Sequence, residues 1–298
     1  MYRPDYPSID TSPDWPAPNT ARDAEAPAAR AAPASALHDV QAETDTRGIA
    51  IEQVGVSGLR YPLTVRDRAP EPQQTVATVA LSVALAADAK GTHMSRFLEM
   101  LEQHRGDVSV RTLPTLLADL QARLGADSAR IAMEFPWFLR RQAPVSGESA
   151  LMDYRCTLVA EAAGNAVDMV VGVDVPVSSL CPCSKAISER GAHTQRGILR
   201  IEARATKRVW LEELIDVAES AGSSPVYALL KRQDMRQVTM QAHDNPAFVE
   251  DMVRAAAVRL RADKRLRWFT VRAENCESIH SHNVFAQVVW SKALEHEA

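Results

Sequence analysis

Hydrophobic and polar residues alternate along several stretches of this chain, with the period of two that is typical of half-buried β-strands. The first stretch begins at Thr46, and glycines punctuate it. The predicted strands lie in the segments "TRGIAIEQVGVSGLRYPLTV", "TVATVALSVALAA", "ARIAMEFPWFLRRQ", "LMDYRCTLVAEAAGNAVDMVVGVDVPV", "GILRIEARAT", "LRWFTVRAEN" and "NVFAQVVW".

Other stretches have the period of an α-helix. The segment "THMSRFLEMLEQHR" places Phe97 and Leu101 on one apolar stripe, and Thr92 is the predicted N-cap. The segment "TLPTLLADLQARLG" predicts a second helix that ends at Gly125.

Three more helices are predicted in the second half of the chain. They lie in "VWLEELIDVAESAG", in "SPVYALLKR" with Pro225 near the first turn, and in "NPAFVEDMVRAAAVRLRAD" with Asn245 as N-cap and Pro246 at the first position. The order of strands, helices and strands therefore occurs twice, which indicates an α+β fold with mostly antiparallel sheets. Sequence identity between the two halves is too weak to define a repeat.

Residues 1–37 differ from the rest of the chain. They are rich in Pro, Ala, Asp and Ser, and such a segment has little apolar surface to bury. We expect a disordered tail over residues 1–37 and a folded region over 38–298. A short helix in the Ala-rich part is the alternative, which the prolines disfavour.

Composition narrows the function classes. The chain of 298 residues has a net charge of −4, which argues against general nucleic-acid binding. No apolar run approaches the ~20 residues of a membrane span, and the N-terminus lacks the features of a signal peptide. We therefore expect a cytoplasmic protein that binds neither nucleic acid nor membrane, with any anionic ligand held by a local basic patch.

The segment "SLCPCSKAISERGAHTQRG" carries the first candidate chemistry. Pro182 favours an extended conformation at Cys181, and alternation then predicts that the sulfurs of Cys181 and Cys183 point to the same side. His193 follows within one loop and completes a donor set that suits zinc. The spacing alone leaves open the alternative of small residues in a turn and a surface histidine.

Two acidic positions and a group of basic residues are further candidates. In "AENCESIHSHN", Glu277 lies near His280, and a carboxylate beside an imidazole suits general acid catalysis, although strand ends also carry polar residues for solvation alone. Glu250 is either a solvated helix charge or a carboxylate that accepts paired hydrogen bonds from a guanine edge. Four basic residues flank these positions, and they either bind a triphosphate or are solvated surface charges. They are Lys185, Arg196, Lys231 and Arg232.

Several blocks, in this order, resemble the prokaryotic type IB family of GTP cyclohydrolase I. They are "DTRGIAIEQVGVSGLRYPLTV", "KGTHMSRFLEML", "APVSGESALMDY", "SLCPCSKAIS" with "GAHTQR", "NPAFVEDMVR" and "ENCESIHSHN". The resemblance covers about Val40 to Trp290. Several blocks in the same order are far more specific than any one motif.

The resemblance implies a tunnelling fold of two tandem modules with antiparallel sheets and paired helices. It implies a homotetramer with active sites between subunits, and a hydrolase acting on cyclic amidines. This enzyme converts GTP and water to 7,8-dihydroneopterin triphosphate and formate, the first step of folate-type pterin biosynthesis. The metal implied is Zn²⁺ or Mn²⁺, with Fe²⁺ as a further candidate.

The resemblance also implies residue roles. Cys181 and His193 match metal ligands, Cys183 and His280 match catalytic residues, Glu277 matches an active-site carboxylate, and Glu250 matches the glutamate that anchors guanine. In such an enzyme the metal would activate water for attack on C8 of the purine. His280 protonates the imidazole nitrogen as the ring opens, and the Cys183 thiol moves a second proton or contacts the metal.

One position departs from the family pattern. Met235 stands where the family has a glutamate that binds the metal, and Met240 stands where many relatives have glutamate. Either Cys183 joins Cys181 and His193 in a Cys₂His set, or this is a diverged paralogue with weak or altered activity. A paralogue that binds purine or pterin without turnover is one alternative function. A related nitrile reductase of the same fold is another, which the "CPCSK…GAH" pattern disfavours.

Overall fold

The alternating segments form an antiparallel sheet of nine strands in the computed structural model, which describes residues 38–68, 71–104 and 110–293. The predicted tail, residues 1–37, lies outside the described residues. The strands are β1 (Ile51–Val65), β2 (Gln73–Leu85), β3 (Ser128–Gln142), β4 (Ser149–Ala163), β5 (Ala166–Leu180), β6 (Thr194–Ala205), β7 (Ser224–Pro225), β8 (Leu266–Cys276) and β9 (Asn283–Ser291). The helices are α1 (Ser95–Gln103), α2 (Leu113–Leu124), α3 (Pro182–Ile187), α4 (Leu211–Glu219), α5 (Arg232–Asp244) and α6 (Val249–Ala262), and a 3-10 helix spans Val40–Ala42.

Neighbouring strands pair in the order β1-β2-β3-β4-β5-β6-β8-β9, and the short β7 pairs with the end of β5. Strands β1 to β4 enclose α1 and α2 in sequence, and strands β5 to β9 enclose α3 to α6. The tight hairpin between β4 and β5 joins the two halves, where Ala163 pairs with Ala166. The predicted α+β class, with two tandem modules of antiparallel strands and paired helices, is confirmed.

One face of the sheet is buried beneath the helices. Along β3, Ile131, Met133, Phe135 and Trp137 are buried, and the residues between them are half-buried or exposed. Leu117 of α2, Ile215 of α4 and other apolar helix residues complete the core on that face, as expected for an antiparallel sheet with one solvated side. The opposite face is open and carries exposed hydrophobic residues: Phe138, Leu151, Ile198, Phe285 and Val289. Across the described ranges, no helix combines the length and the hydropathy that a membrane crossing requires.

The helix ends match the predictions in part. Gly125 follows α2 in the left-handed conformation, with φ 61°, so the predicted stop is confirmed. Thr92 is not the N-cap of α1, because the helix begins three residues later and Met94 occupies that position without a side-chain cap. Thr92 is buried instead, and its carbonyl accepts a hydrogen bond from Gln41.

The prediction of a helix over "SPVYALLKR" is wrong. Ser224 and Pro225 form β7 against β5, and the chain then runs without regular structure to Lys231. Ser223 holds this segment in place, because its N–H donates to the Ser178 carbonyl at 2.9 Å and its hydroxyl accepts from the Leu180 N–H at 3.0 Å. The long-range pairing outweighs the local preference of the segment.

Helix α5 was not predicted, and it changes the role of Asn245. This residue follows the last turn of α5, and its side-chain amide donates to the carbonyl oxygens of Gly222 and Ser223. The predicted start of the next helix at Asn245 is therefore wrong. Helix α6 begins at Val249, where the Asp251 carboxylate accepts the Phe248 N–H at 3.1 Å.

A buried carboxylate, Asp234, ties the first half of the chain to α5. It accepts hydrogen bonds from the N–H groups of Val145 and Ser146, the Ser146 hydroxyl and the Lys231 N–H, all at 2.7–2.9 Å. Burial acts to raise the pKa of Asp234, but these donors outweigh burial and hold the pKa at about 2. The β3–β4 turn is thus anchored on the N-terminus of a helix 88 residues later in the chain.

Asp67, after β1, makes a second connection between the halves. Its carboxylate accepts the Leu211 N–H at 2.8 Å and so caps α4. Burial raises the pKa of Asp67 to about 6, despite that hydrogen bond, and the nearby Glu212 adds to the rise.

Candidate active site

Six of the residues predicted from the sequence line one cavity of about 280 Å³ at the ends of β5, β6 and β8 and the start of α6. They are Cys181, Cys183, His193, Glu250, Glu277 and His280. Pairing of β5 with β6 and of β6 with β8 brings together segments that are up to about one hundred residues apart. The structure thus gathers the predicted thiol, imidazole and carboxylate groups in one place.

Cys181 and His193 are neighbours across two strands. Cys181 directly follows the last residue of β5 and His193 directly precedes the first residue of β6, and the Cys181 N–H donates to the His193 carbonyl at 3.1 Å. Cys181 has φ −67° and ψ 117°, so the predicted extended conformation before Pro182 is confirmed. Its sulfur accepts a hydrogen bond from the Ser184 N–H.

The sequence predicted that Cys181 and Cys183 lie in one extended segment, whose alternation would point both sulfurs to the same side. That conformation is wrong for Cys183. Residues 182–187 form α3, so Cys183 lies in the first turn of a helix rather than in an extended segment. Cys183 nevertheless lines the same cavity and is exposed. Its thiol is therefore open to a ligand in the cavity.

A chain of uncharged hydrogen bonds orients His193. The Ser179 hydroxyl donates to the Ala247 carbonyl at 2.8 Å and accepts from the Gln195 amide N–H at 3.3 Å. The Gln195 oxygen therefore faces His193 Nδ1, at 2.9 Å, so Nδ1 carries the proton and Nε2 keeps its lone pair. The Glu277 carboxylate lies 3.8 Å from Nδ1.

The loop between β8 and β9 supplies the other candidate groups. His280 and His282 stack with ring centroids 5.1 Å apart, and both line the cavity with Glu277. Glu274, three residues before Glu277 on β8, does not line this cavity. It contributes instead to the open face of the sheet, where Asn283 and then Arg272 hold its pKa below the ordinary range.

Glu250 occupies the first turn of α6 and is exposed at the cavity. The N-terminus of a helix favours negative charge, which suits a carboxylate at this position. Its side chain can accept hydrogen bonds from a ligand in the cavity.

None of the four predicted triphosphate-binding residues lines the cavity. Lys185 donates to the His243 carbonyl, and Lys231 and Arg232 are exposed at the start of α5. Arg196 follows Gln195 along β6 and lines a separate cavity on the open face, with Arg200 and Arg272 among its neighbours. Their binding of a triphosphate stays a prediction.

Met235 and Met240 also lie away from the cavity within this chain. Both are exposed on α5, at 50% and 45% of their full surface. Met235 makes its backbone hydrogen bond to Lys231, beside the buried Asp234. Asp234 is thus fully buried, whereas Met235, the next residue, faces solvent within this chain.

The donor set is suited to a divalent metal, although no preformed ligand cluster is present. In the described ranges, no three His, Cys, Asp or Glu side chains are grouped closely enough to hold an ion. Cys181 and His193 are nevertheless adjacent, Cys183 lines the same cavity, and His193 Nε2 has a free lone pair. Two thiols and an imidazole suit zinc better than a hard cation.

Three residues at the buried end of the cavity were missed by the sequence analysis: Ser179, Gln195 and Asn275. Each lies two positions from a predicted residue, namely Cys181, His193 and Glu277. Because residues i and i+2 of a strand share one face, the strand period contained the signal.

The fold resembles that of urate oxidases. A mutant of the Bacillus sp. TB-90 urate oxidase matches 81% of this chain and 100% of its own, with a TM-score of 0.50 and 10% sequence identity. At that identity the likeness concerns the fold alone, and it supports the predicted tunnelling-fold architecture.

The sequence comparisons define the family. The family model described as type I GTP cyclohydrolase folE2 matches residues 37–286. "GTP cyclohydrolase FolE2" of Syntrophotalea carbinolica is 49% identical over 87% of this chain and 97% of its own length, and that of Halorhodospira halophila is 48% identical over 86% and 99%. The chain belongs to the type I GTP cyclohydrolase FolE2 family.

Proposed function

We propose that this protein is a GTP cyclohydrolase of type IB, which converts GTP and water to 7,8-dihydroneopterin triphosphate and formate in folate-type pterin biosynthesis. The observation that carries the proposal is that six of the residues predicted from the sequence line the same cavity, in a chain of this family.

Each residue has a role that its position supports. Glu250 accepts the ring N–H and exocyclic amine of guanine and positions C8 of the base. His280 protonates the imidazole nitrogen that is released as the ring opens, and the Glu277 carboxylate lines the same cavity. The Cys183 thiol moves a second proton, because it is exposed in the cavity.

Cys181 and His193 are the residues that would hold a metal, Zn²⁺ or Mn²⁺ with Fe²⁺ as a further candidate, and this leaves the Cys183 thiol free for proton transfer. Such an ion supplies the Lewis acidity that activates water. By accepting from Nδ1–H, Gln195 favours the tautomer of the neutral imidazole in which Nε2 is the available metal donor.

We further propose a cytoplasmic homotetramer with active sites between subunits. Two observations support the assembly: the edge strands β1 and β9 each lack a second neighbour among the described residues, and the open sheet face carries exposed apolar side chains. The predicted phosphate-binding cations do not reach the cavity within one chain, which fits a site that a second subunit completes.

The test is formate release from GTP by the full-length protein loaded with Zn²⁺, Mn²⁺ or Fe²⁺. We expect formate and a fluorescent pterin after oxidation, and Cys183→Ala should abolish both. Cys276→Ala is the matched control, because this exposed thiol contributes to the cavity on the open face. Absence of formate above the enzyme-free control with every metal would refute the proposal.

Met235 favours a second candidate function, binding of GTP or a pterin without turnover. The exposed methionine provides no carboxylate at the position where the family resemblance places a ligand. Saturable GTP binding without formate release would identify this case.

A further inference from the structure

Asn275 is a buried polar residue that the proposed reaction has not used. It is 1% exposed and lines the active-site cavity from β8. Its Oδ1 has no hydrogen-bond partner in the part of the chain that the structure describes, and its Nδ2 donates to no group there. Burial of an amide without hydrogen bonds costs free energy, and a ligand that accepts from Nδ2 would recover the part of that cost that belongs to Nδ2.

The sheet holds this amide in place. Asn275 pairs with Gly197 of β6 and Val284 of β9. A Cβ at position 197 would lie 2.1 Å from Asn275 Oδ1 and 3.3 Å from its Cγ, so only glycine leaves room for the amide. Because Oδ1 lies against Gly197, Nδ2 is the amide atom left for a ligand.

The neighbouring buried polar groups are already engaged. Ser179 donates to the Ala247 carbonyl, and Gln195 is held between Ser179 and His193. Asn275 thus differs from the other two amide and hydroxyl side chains at this end of the cavity.

Glu250, the predicted base-binding residue, cannot bind every polar group on the edge of guanine, and Asn275 can bind the remaining one. A carboxylate such as Glu250 only accepts hydrogen bonds when ionised. It can pair with the N–H groups of guanine, but it cannot serve the carbonyl oxygen beside them. That oxygen requires a donor.

We propose that Asn275 contacts the substrate and that its Nδ2 donates to the carbonyl oxygen of the purine base. The inference rests on the proposed function and names a second residue for base selection. An adenine base presents an amine at that position, and two donors then face each other. Asn275 therefore selects 6-oxopurine nucleotides over 6-aminopurine nucleotides, and Glu250 reads the 2-amino group.

The test measures binding of GTP, ITP, ATP and inorganic triphosphate to the full-length protein by calorimetry. Asn275→Leu keeps the approximate shape of the side chain and removes both polar atoms. GTP and ITP should bind about 10- to 100-fold more weakly, ATP should be little changed, and inorganic triphosphate should bind as before. Glu250→Gln should instead weaken GTP more than ITP.

Thermal stability of the free protein separates this role from a structural one. Because the side-chain amide has no partner among the described residues, Asn275→Leu should leave the Tm unchanged or raise it. Asn245→Leu is the matched control, since the Asn245 amide bonds to Gly222 and Ser223, and that variant should lower the Tm. Asn275→Ala provides the same comparison if leucine prevents folding.

Two results would overturn the inference. One is unchanged GTP affinity in a folded Asn275→Leu or Asn275→Ala protein that still releases formate from GTP. The other is a loss of Tm in both variants as large as that in Asn245→Leu, since the amide then serves the fold. If the parent protein neither binds GTP nor releases formate, the proposed function itself is refuted, and the inference that rests on it is refuted as well.

Discussion

His193 receives its orientation from side chains that carry no charge. Gln195 and Ser179 are 8% and 1% exposed, and together they link the imidazole to the Ala247 carbonyl just before α6. The chain of donors leaves one possible direction for the Gln195 amide. The hydrogen bonds of Gln195 and Ser179 therefore select the tautomer of His193, the candidate metal ligand.

We expect Gln195→Leu to weaken zinc binding by about 10- to 100-fold, the scale of lost outer-shell hydrogen bonds. The reason is that His193 Nδ1–H loses the acceptor that lies at 2.9 Å, so the tautomer that leaves Nε2 available to the metal is less favoured. Competition with a chromophoric chelator measures the affinity, and ¹⁵N NMR of His193 reports the tautomer. Unchanged tautomer and affinity in the variant would contradict this role; Gln237→Leu, on the exposed part of α5, is the control.

Met235 is the second residue-scale question. We expect Met235→Glu to tighten zinc binding about tenfold or more, because a carboxylate adds charge and an oxygen donor. Met240→Glu adds the same charge five residues along α5 and should have a smaller effect. Weaker binding in Met235→Glu would show that the ligand position implied by the family resemblance does not apply to this chain.

At the scale of elements, α5 shows how one buried carboxylate defines a helix that has little apolar surface. Only Asp234 and Ala242 of its thirteen residues are buried. The hydrophobic period is therefore nearly absent, which is why the sequence did not indicate this helix. Its position depends on the bonds from Asp234 to the β3–β4 turn.

We expect Asp234→Asn to lower the Tm by several degrees at pH 7. In the parent, both carboxylate oxygens accept hydrogen bonds, whereas in the variant an amide NH₂ replaces one of these oxygens and faces N–H and O–H donors. Since the folded pKa of about 2 is below the unfolded value, this contribution is present above about pH 4 and is lost as the pH falls toward 2. Asp244→Asn, exposed at the other end of α5, is the control and should leave the Tm nearly unchanged. A Tm equal to that of the parent in Asp234→Asn would contradict the anchoring role.

At the scale of the whole molecule, the two halves share one sheet, and half-buried carboxylates reinforce the junction. Asp67 connects the end of β1 with α4 across 144 residues of sequence. Arg141 of β3 similarly contacts Tyr154 of β4 and Glu219 of α4. Burial raises the pKa of Glu219, so this junction holds groups whose ionisation opposes folding.

The Asp67 junction predicts a specific pH dependence. The folded pKa of about 6 exceeds the ordinary value of 3.8, so stability falls as the pH rises between these values, by about 3 kcal/mol at most. Asp67→Asn keeps the acceptor for Leu211 and cannot ionise, so its advantage over the parent should grow between pH 4.5 and pH 8. Urea denaturation at both pH values measures the difference, and an equal difference at both would contradict the assignment.

The sequence by itself determined the strand content, the tandem order of elements and the identity of most groups in the cavity. Strand periodicity depends on the local alternation of side chains, and β3 and β4 carry it over their full length. The motifs around Cys181, His193 and Glu277 were recognisable because their residue types are those that the chemistry needs. None of this required knowledge of which strands pair.

Only the tertiary structure decided which groups lack or gain partners. Asn275 and Asp234 are both buried polar residues, yet the side chain of Asn275 has no hydrogen bond among the described residues and the Asp234 carboxylate accepts four. The helix expected over "SPVYALLKR" gave way to β7, and Asn245 ended one helix rather than beginning the next. These outcomes depend on contacts between residues distant in sequence, and local periodicity carries no information about such contacts.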